Sequence, residues 1–196
     1  MIASYETNVR SSKNHSAAWK NPHMLKIAKL DTPRLRLDPI SIDDADTLVD
    51  VFDHPAMLEF IGGDEPTRDV LRGRFERMPA GSGNEVEAWL TWIVRFEEVT
   101  TGIVQATVRY YGADLAWVIG LPWQNQGLAT EAGLAMRQWL VTQGVTAFLA
   151  HIHPDNAASN AVAANLGLRS SGSVDDDGEV VWLSDAAVWP PAGTSG

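Results

Sequence analysis

The sequence predicts an α/β fold, a mixed and mostly antiparallel sheet with helices on its faces. Three strand-like runs follow one another in mid-chain with only short turn stretches between them, as hairpins require. After Gln126 the apolar period changes from two to 3.6, and helix, strand, helix, strand and strand follow. The chain has 196 residues, 45% of them hydrophobic. A chain of that size hides roughly 70% of its unfolded surface, enough for one sizeable core.

Each element has a local reason. Leu35 and Leu37 alternate with Arg34 and Arg36 after Pro33, giving a short first strand. Ser41 caps a helix whose first turn carries Asp43 and Asp44, favoured by the helix dipole. Its apolar positions Ile42, Ala45, Leu48, Val49 and Phe52 keep helical spacing, and His54-Pro55 ends it. A second helix spans 67–78 and stops at Pro79-Ala80-Gly81-Ser82-Gly83. The three strands lie at 88–97, 103–111 and 115–119, with turns assigned to Thr100-Thr101-Gly102 and Gly112-Ala113-Asp114. Leu128, Ala132, Ala135, Trp139 and Leu140 mark one helix face, and Gly144 stops that helix. A buried-type strand at 147–152, an Ala-rich helix at 156–166 and strands at 168–174 and 179–189 complete the order. The domain therefore reads as residues 30–189. Residues 1–29 read as a disordered extension or a leader preceding a start at Met24, and 190–196 as a flexible tail.

Composition narrows the function. The count of Cys is zero, which excludes disulfides, a thiol nucleophile and Cys-ligated zinc. It fits a cytoplasmic, reducing compartment. A net charge of -10 argues against nucleic acid, whose binding needs Lys and Arg to displace counterions. The same charge suits an amine-bearing, cationic substrate. No apolar run approaches the roughly 18–20 residues of a membrane span.

The informative stretch runs from Trp117 to Ala132. It reads as a strand, a loop and a helix N-terminus, where unpaired backbone N–H groups and the dipole attract phosphate. Gly127 and Ala129 keep side chains off such an anion, although glycines also occur at strand–helix turns for packing alone. The stretch has no Lys-Ser/Thr pair and no G-x-G-x-x-G, so neither a nucleotide-triphosphate loop nor a dinucleotide fingerprint is present.

The run Gln124-Asn125-Gln126-Gly127-Leu128-Ala129 resembles the Q/R-x-x-G-x-G/A signature of the GNAT superfamily of acyl-CoA-dependent N-acyltransferases. Thr32-Pro33-Arg34-Leu35-Arg36-Leu37 with Asp44-Ala45, and Gly127-Leu128-Ala129-Thr130-Glu131-Ala132, are similar to the branch that acetylates ribosomal-protein N-termini. His153-Pro154-Asp155-Asn156-Ala157-Ala158-Ser159 followed by Asn165-Leu166-Gly167-Leu168 resembles that branch's closing helix. The likeness covers about 30–188. It implies a GNAT fold and direct acetyl transfer from acetyl-CoA, a co-substrate, to a primary amine. A protein or peptide N-terminus is the first expectation for the acceptor, with an aminoglycoside, a polyamine or a silent acyl-CoA-binding module as alternatives. A homodimer is compatible with the branch, and no metal is expected.

The resemblance also assigns roles. Pantetheine pairs with the backbone of Val118, Ile119 and Gly120, and the pyrophosphate sits on Gln124, Asn125, Gln126, Gly127, Leu128, Ala129 and Thr130. Asn156 holds the pantetheine arm and Ser159 donates to the leaving sulfur; both also suit a helix N-cap. Asp114 stands where relatives carry a general base, or else caps a hairpin turn. Where many members carry a Tyr acid this chain has Ala163, which leaves Tyr110 or Tyr111 to reach in. His151 and His153 have a metal-compatible spacing or simply end a strand. Trp89 and Trp92 form an aromatic acceptor wall or pack the sheet, and Asp175-Asp176-Asp177 is a solvated turn or an attractor of cations.

Overall fold

The computed structural model describes residues 22, 25–54, 56–57, 68–83 and 85–185. Residues 1–21, residues 61–67 and the end of the last expected strand past 185 lie outside them. The described strands are β1 (Leu30–Asp31), β2 (Leu35–Pro39), β3 (Glu87–Phe96), β4 (Val99–Arg109), β5 (Gly112–Ile119), β6 (Phe148–Ile152), β7 (Arg169–Val174) and β8 (Val180–Leu183). The helices are α1 (Ala45–Phe52), α2 (Arg68–Arg77), α3 (Leu128–Thr142) and α4 (Ala157–Asn165).

The strands form one sheet in the order β1-β2-β3-β4-β5-β6-β8-β7, antiparallel except for β5 beside β6. This is the α/β architecture expected. A parallel neighbour needs a crossover, and α3 supplies it. Side chains alternate across a strand. Thus β3 sends Ala88, Leu90, Trp92 and Val94 to one face, where Leu128, Ala132, Met136 and Leu140 of α3 cover them. Ile93 of β3 and Ile103 of β4 point the other way, under Leu48, Val49 and Phe52 of α1 and Phe75 of α2. Each fully buried apolar side chain contributes about 1.5–3 kcal/mol. No helix among the described residues is long and apolar enough to cross a membrane.

Three expectations change. Leu25 and Ile27 pack against the main core, and the indole N–H of fully buried Trp92 donates to the Ala28 carbonyl at 2.7 Å. Order therefore begins before Leu30. The β3–β4 turn is Glu97-Glu98, with φ 50 and 64, and not Thr100-Thr101-Gly102. Positive φ at both central residues matches the twist of a two-residue hairpin, even without the usual glycine. The β4–β5 turn is Tyr110-Tyr111, so Gly112, Ala113 and Asp114 belong to β5.

Both displaced glycines mark close approaches. A Cβ at Gly102 would stand 2.1 Å from the Val118 carbonyl oxygen, and one at Gly112 would stand 2.6 Å from that of Ala147. Gly102→Ala is accordingly expected to destabilise the protein by about 1–3 kcal/mol, as overpacking does. Thermal denaturation checks this, at about 2–4 °C per kcal/mol for a chain of this size. An unchanged melting temperature contradicts the close approach.

Candidate functional site

The parallel pair β5–β6 is short. Only Ala113↔Phe148 and Asp114↔Leu149 are in register, after which the two strands part. Ala113 donates its N–H across to the Ala147 carbonyl at 3.0 Å, whereas Gly120 donates back to Thr101 of β4 at 2.8 Å. The β4–β5 ladder runs without a shift between them. Backbone groups alternate sides along a strand, so odd-numbered residues of β5 face β6 and even-numbered ones face β4. Trp117 and Ile119 therefore turn N–H and C=O groups into the gap. Val118 and Gly120, which were also expected at the pairing edge, direct theirs at β4, and the Gly120 carbonyl also accepts from Trp123. Trp117 was missed because the strand's parity is set by Ala113, which the sequence reading had put in a turn. The Ile119 carbonyl accepts the Gln124 side-chain amide at 2.9 Å, leaving Trp117 and the Ile119 N–H open to the gap.

At the wide end of the gap lies the loop expected to hold an anion. A short 3₁₀ turn, Leu121–Trp123, leads into Asn125 at φ 60 and Gly127 at φ 75, both left-handed. The first intrahelical bond of α3 runs from Glu131 N–H to the Gly127 carbonyl, so the N–H groups of Leu128, Ala129 and Thr130 precede the helical ladder. Gln124, Asn125, Gln126 and Gly127 are exposed, while the Leu128 side chain is buried and anchors the turn. A Cβ at Gly127 would meet only the Arg34 guanidinium at 3.7 Å, so φ rather than crowding within the chain requires glycine there.

A clamp holds this loop. Arg34 Nε donates to Glu131 at 2.6 Å, and its Nη1 donates to the Gln126 carbonyl at 3.1 Å. Thr32 Oγ1 donates to the other Glu131 oxygen at 2.6 Å. Burial pushes the Glu131 carboxyl up, but the hydrogen bonds from Thr32 and Arg34 outweigh it and hold it below the usual range. Arg34 thus brings a cation to the loop. Thr32, Arg34 and Glu131 all stood inside the quoted motifs, yet only three-dimensional contact joins residues so far apart in sequence.

Asp114 sits at the closed end of the gap, in a row that runs from Trp89 through Thr107 and Asp114 to Leu149. It is a strand residue and not a turn cap. Its carboxylate lies 3.7 Å from Arg109 Nη1 and 3.7 Å from His151 Nε2, with its side chain 27% exposed. Burial pushes this carboxyl up to about 6, against the pull of His151 and Arg109, while Glu179 and Asp175 add to the rise. Arg109 also binds Glu87 at 3.0 Å and donates to the Tyr111 hydroxyl at 3.3 Å. Burial raises the pKa of Tyr111, so it stays a neutral phenol, whereas Tyr110 is half exposed. Of the two tryptophans, Trp89 lies on this face, and Trp92 is three residues on and points into the core.

Across the mouth of the gap, Asn156 Oδ1 caps α4 by accepting the Ser159 N–H at 3.0 Å. No hydrogen bond joins Ser159 to Asp114 among the described residues. The distance along β5 from Asp114 to Ile119 is roughly 17 Å at about 3.3 Å per residue. Ala163 is fully buried in the core, so a bulkier side chain there meets packed neighbours. His153 is exposed and turned toward Asp155. His151 instead meets Asp175 and Glu179, their ligand atoms all within 4.8 Å, so the two histidines do not converge.

A family model described as the acetyltransferase (GNAT) domain matches residues 34–169. Among solved structures, an acetyltransferase from Agrobacterium tumefaciens is 23% identical, with a TM-score of 0.63, over 81% of this chain and 95% of that one. RimL, a ribosomal L7/L12 alpha-N-protein acetyltransferase in complex with coenzyme A, is 14% identical, with a TM-score of 0.66, over 81% and 99%. AAC(6')-Ib in complex with paromomycin and acetyl-CoA is 16% identical, with a TM-score of 0.65, over 76% and 92%. These likenesses concern the fold. No curated protein matches the chain by sequence.

The clamp generates a test. Glu131 binds fewer protons folded than unfolded, so its stabilisation is complete above the ordinary carboxylate range and fades as pH falls through the lowered value. Glu131→Gln should cost about 1–2 kcal/mol at pH 7, toward the lower figure because Arg34 is partly exposed. Chemical denaturation at descending pH should show this difference shrinking; a difference independent of pH speaks against the ion pair.

Proposed function

The chain belongs to the acetyltransferase (GNAT) domain family and is an acetyl-CoA-dependent acetyltransferase, and from that premise we propose how its residues serve the reaction and which amine it takes. One observation carries the reading: the gap between β5 and β6 closes at Asp114 and opens toward the exposed loop at the start of α3. Acetyl-CoA lies along it, with its pyrophosphate on the backbone N–H groups of Gln124 to Thr130 and the Arg34 guanidinium nearby. Its pantetheine arm pairs with Trp117 and Ile119, and Asn156 holds the arm from the α4 side.

The amine then attacks the thioester carbonyl. The N–C bond forms, the C–S bond breaks, and the amine's proton passes to Asp114, directly or through one water. The thiolate leaves, with the Ser159 hydroxyl as its donor. No acyl-enzyme forms, in keeping with a chain that has no cysteine. Most of the acceleration then comes from orienting two reactants and from backbone N–H groups facing the developing oxyanion.

The acceptor we favour is a protein or peptide N-terminus. Proton transfer works best between groups of similar pKa. A carboxylate at about 6 lies closer to an α-amine, at about 7.7–8.0, than to a lysine-type amine at about 10.4. Thiol release from acetyl-CoA should therefore be fastest with free-N-terminal peptides and slow with N-blocked peptides bearing lysine. Faster release with a polyamine or aminoglycoside assigns a small-molecule acceptor instead. Coenzyme binding with no acceptor-dependent release for any of these amines marks a silent binding module.

The base has its own signature. A carboxylate accepts a proton only when ionised, so kcat/KM should rise with pH through about 6 and then level off. Asp114→Asn should remove that rise and lower kcat by about 10²–10⁴-fold. Its affinity for acetyl-CoA should match wild type. A retained pH–rate profile in Asp114→Asn removes Asp114 from the mechanism.

A further inference from the structure

Behind Asp114 stands a second carboxylate that the reaction as described does not use. Asp175 opens the turn between β7 and β8 and is fixed by that turn. Its Oδ1 accepts the N–H groups of Asp177 at 3.0 Å and Glu179 at 2.9 Å, and its side chain is only 8% exposed. The remaining oxygen, Oδ2, lies 2.6 Å from Nδ1 of His151. An ionised carboxylate only accepts hydrogen bonds, so Nδ1 carries the hydrogen. In the neutral ring Nε2 is then the basic nitrogen, and it lies on the Asp114 side at 3.7 Å. The acidic run is therefore not a wholly solvated turn, because its first member orients a buried imidazole.

We propose that His151, oriented by Asp175, is a proton-relay residue for Asp114. Once Asp114 has taken the amine's proton, Asp114 and Nε2 of His151 hold that one proton between them, as either neutral acid with neutral imidazole or carboxylate with imidazolium. Two facing lone-pair groups at this distance repel when both are bare, and the shared proton removes the repulsion. The proton that Asp114 takes from the amine moves on to Nε2 once the two side chains close from 3.7 Å to hydrogen-bond distance, which restores the carboxylate. The imidazolium so formed is stabilised by Asp175 through the short Nδ1–H bond and by nearby Glu179. It then gives the proton to solvent, since the His151 side chain is 18% exposed. Arg109, tied to Glu87, faces Asp114 from β4 and keeps the carboxylate form accessible. The arrangement follows the logic of an Asp–His pair that fixes a tautomer and supports the transient charge.

The inference rests on Asp114 as the base, and the variants separate the two. His151→Gln should lower kcat about 10–100-fold with the acetyl-CoA affinity retained, and should shift the acid limb of the pH–rate profile because Asp114 then titrates without its partner. Asp175→Asn keeps a side chain that can accept the turn's N–H groups, and should show the same direction of change more weakly. Wild-type limbs in both variants, with the limb lost in Asp114→Asn, overturn the relay and leave the base. A wild-type profile in Asp114→Asn overturns the base itself. A measurement on the unmutated protein guards against misfolding: nitrogen NMR of the histidine rings should show His151 with hydrogen on Nδ1 and a titration that shifts in Asp114→Asn. A His151 titration identical in the two proteins, or hydrogen resident on Nε2 in the neutral ring, refutes the proposal.

Discussion

The structure turns on how briefly β5 and β6 pair. Two registered residues suffice to join the antiparallel half of the sheet to its second half, because the crossover through α3 holds the strands in place from outside. That brevity opens an edge whose backbone groups are free to pair with something other than protein. The same crossover delivers the start of a 15-residue helix, Leu128–Thr142, to the mouth of the opening, so the anion site and the extended edge follow from one topological choice. A third registered pair would close part of the edge and move the parting point away from Asp114.

The site shows a division of electrical labour. In the proposed arrangement, a chain of net charge -10 meets an anionic coenzyme with oriented backbone dipoles and one arginine, with no need of a basic surface. Carboxylates gather at the other end, where Glu87, Asp114, Asp175 and Glu179 lie near the proposed site of the ammonium's deprotonation. Attraction and acidity are thus separated along the gap. In bulk the acidic excess favours the amine, and close to α3 the local field is reversed.

Much of this was legible in the chain. The helix at Leu128, the loop glycine at Gly127, the cap pair Asn156 and Ser159 and the succession of elements from Leu35 onward all follow from local pattern, because caps, turns and periodicity are short-range physics. The errors are also physical. Glycine next to threonine suggested a turn at 100–102, but Gly102 is there to let the Val118 carbonyl approach, a demand set by a neighbouring strand. Moving that turn shifts the neighbouring hairpin too, and with it the assignment of Asp114 and the parity of the β5 edge. The Asp175–His151 bond and the Arg34–Glu131 clamp were out of reach for another reason. Each joins residues whose proximity is decided only when the sheet is complete.

The clamp has a consequence in time. Arg34 and Glu131 are 97 residues apart, and closing a loop of that length carries an entropy cost on the order of 4 kcal/mol. Contacts of such long range form late in folding, after the hairpins of the central sheet have reduced the distance to be searched. During synthesis Thr32 and Arg34 have no Glu131 to hold until two-thirds of the residues have been made. The loop proposed to take the pyrophosphate is therefore finished near the end of folding, and a half-folded chain lacks the Arg34 contacts that hold it.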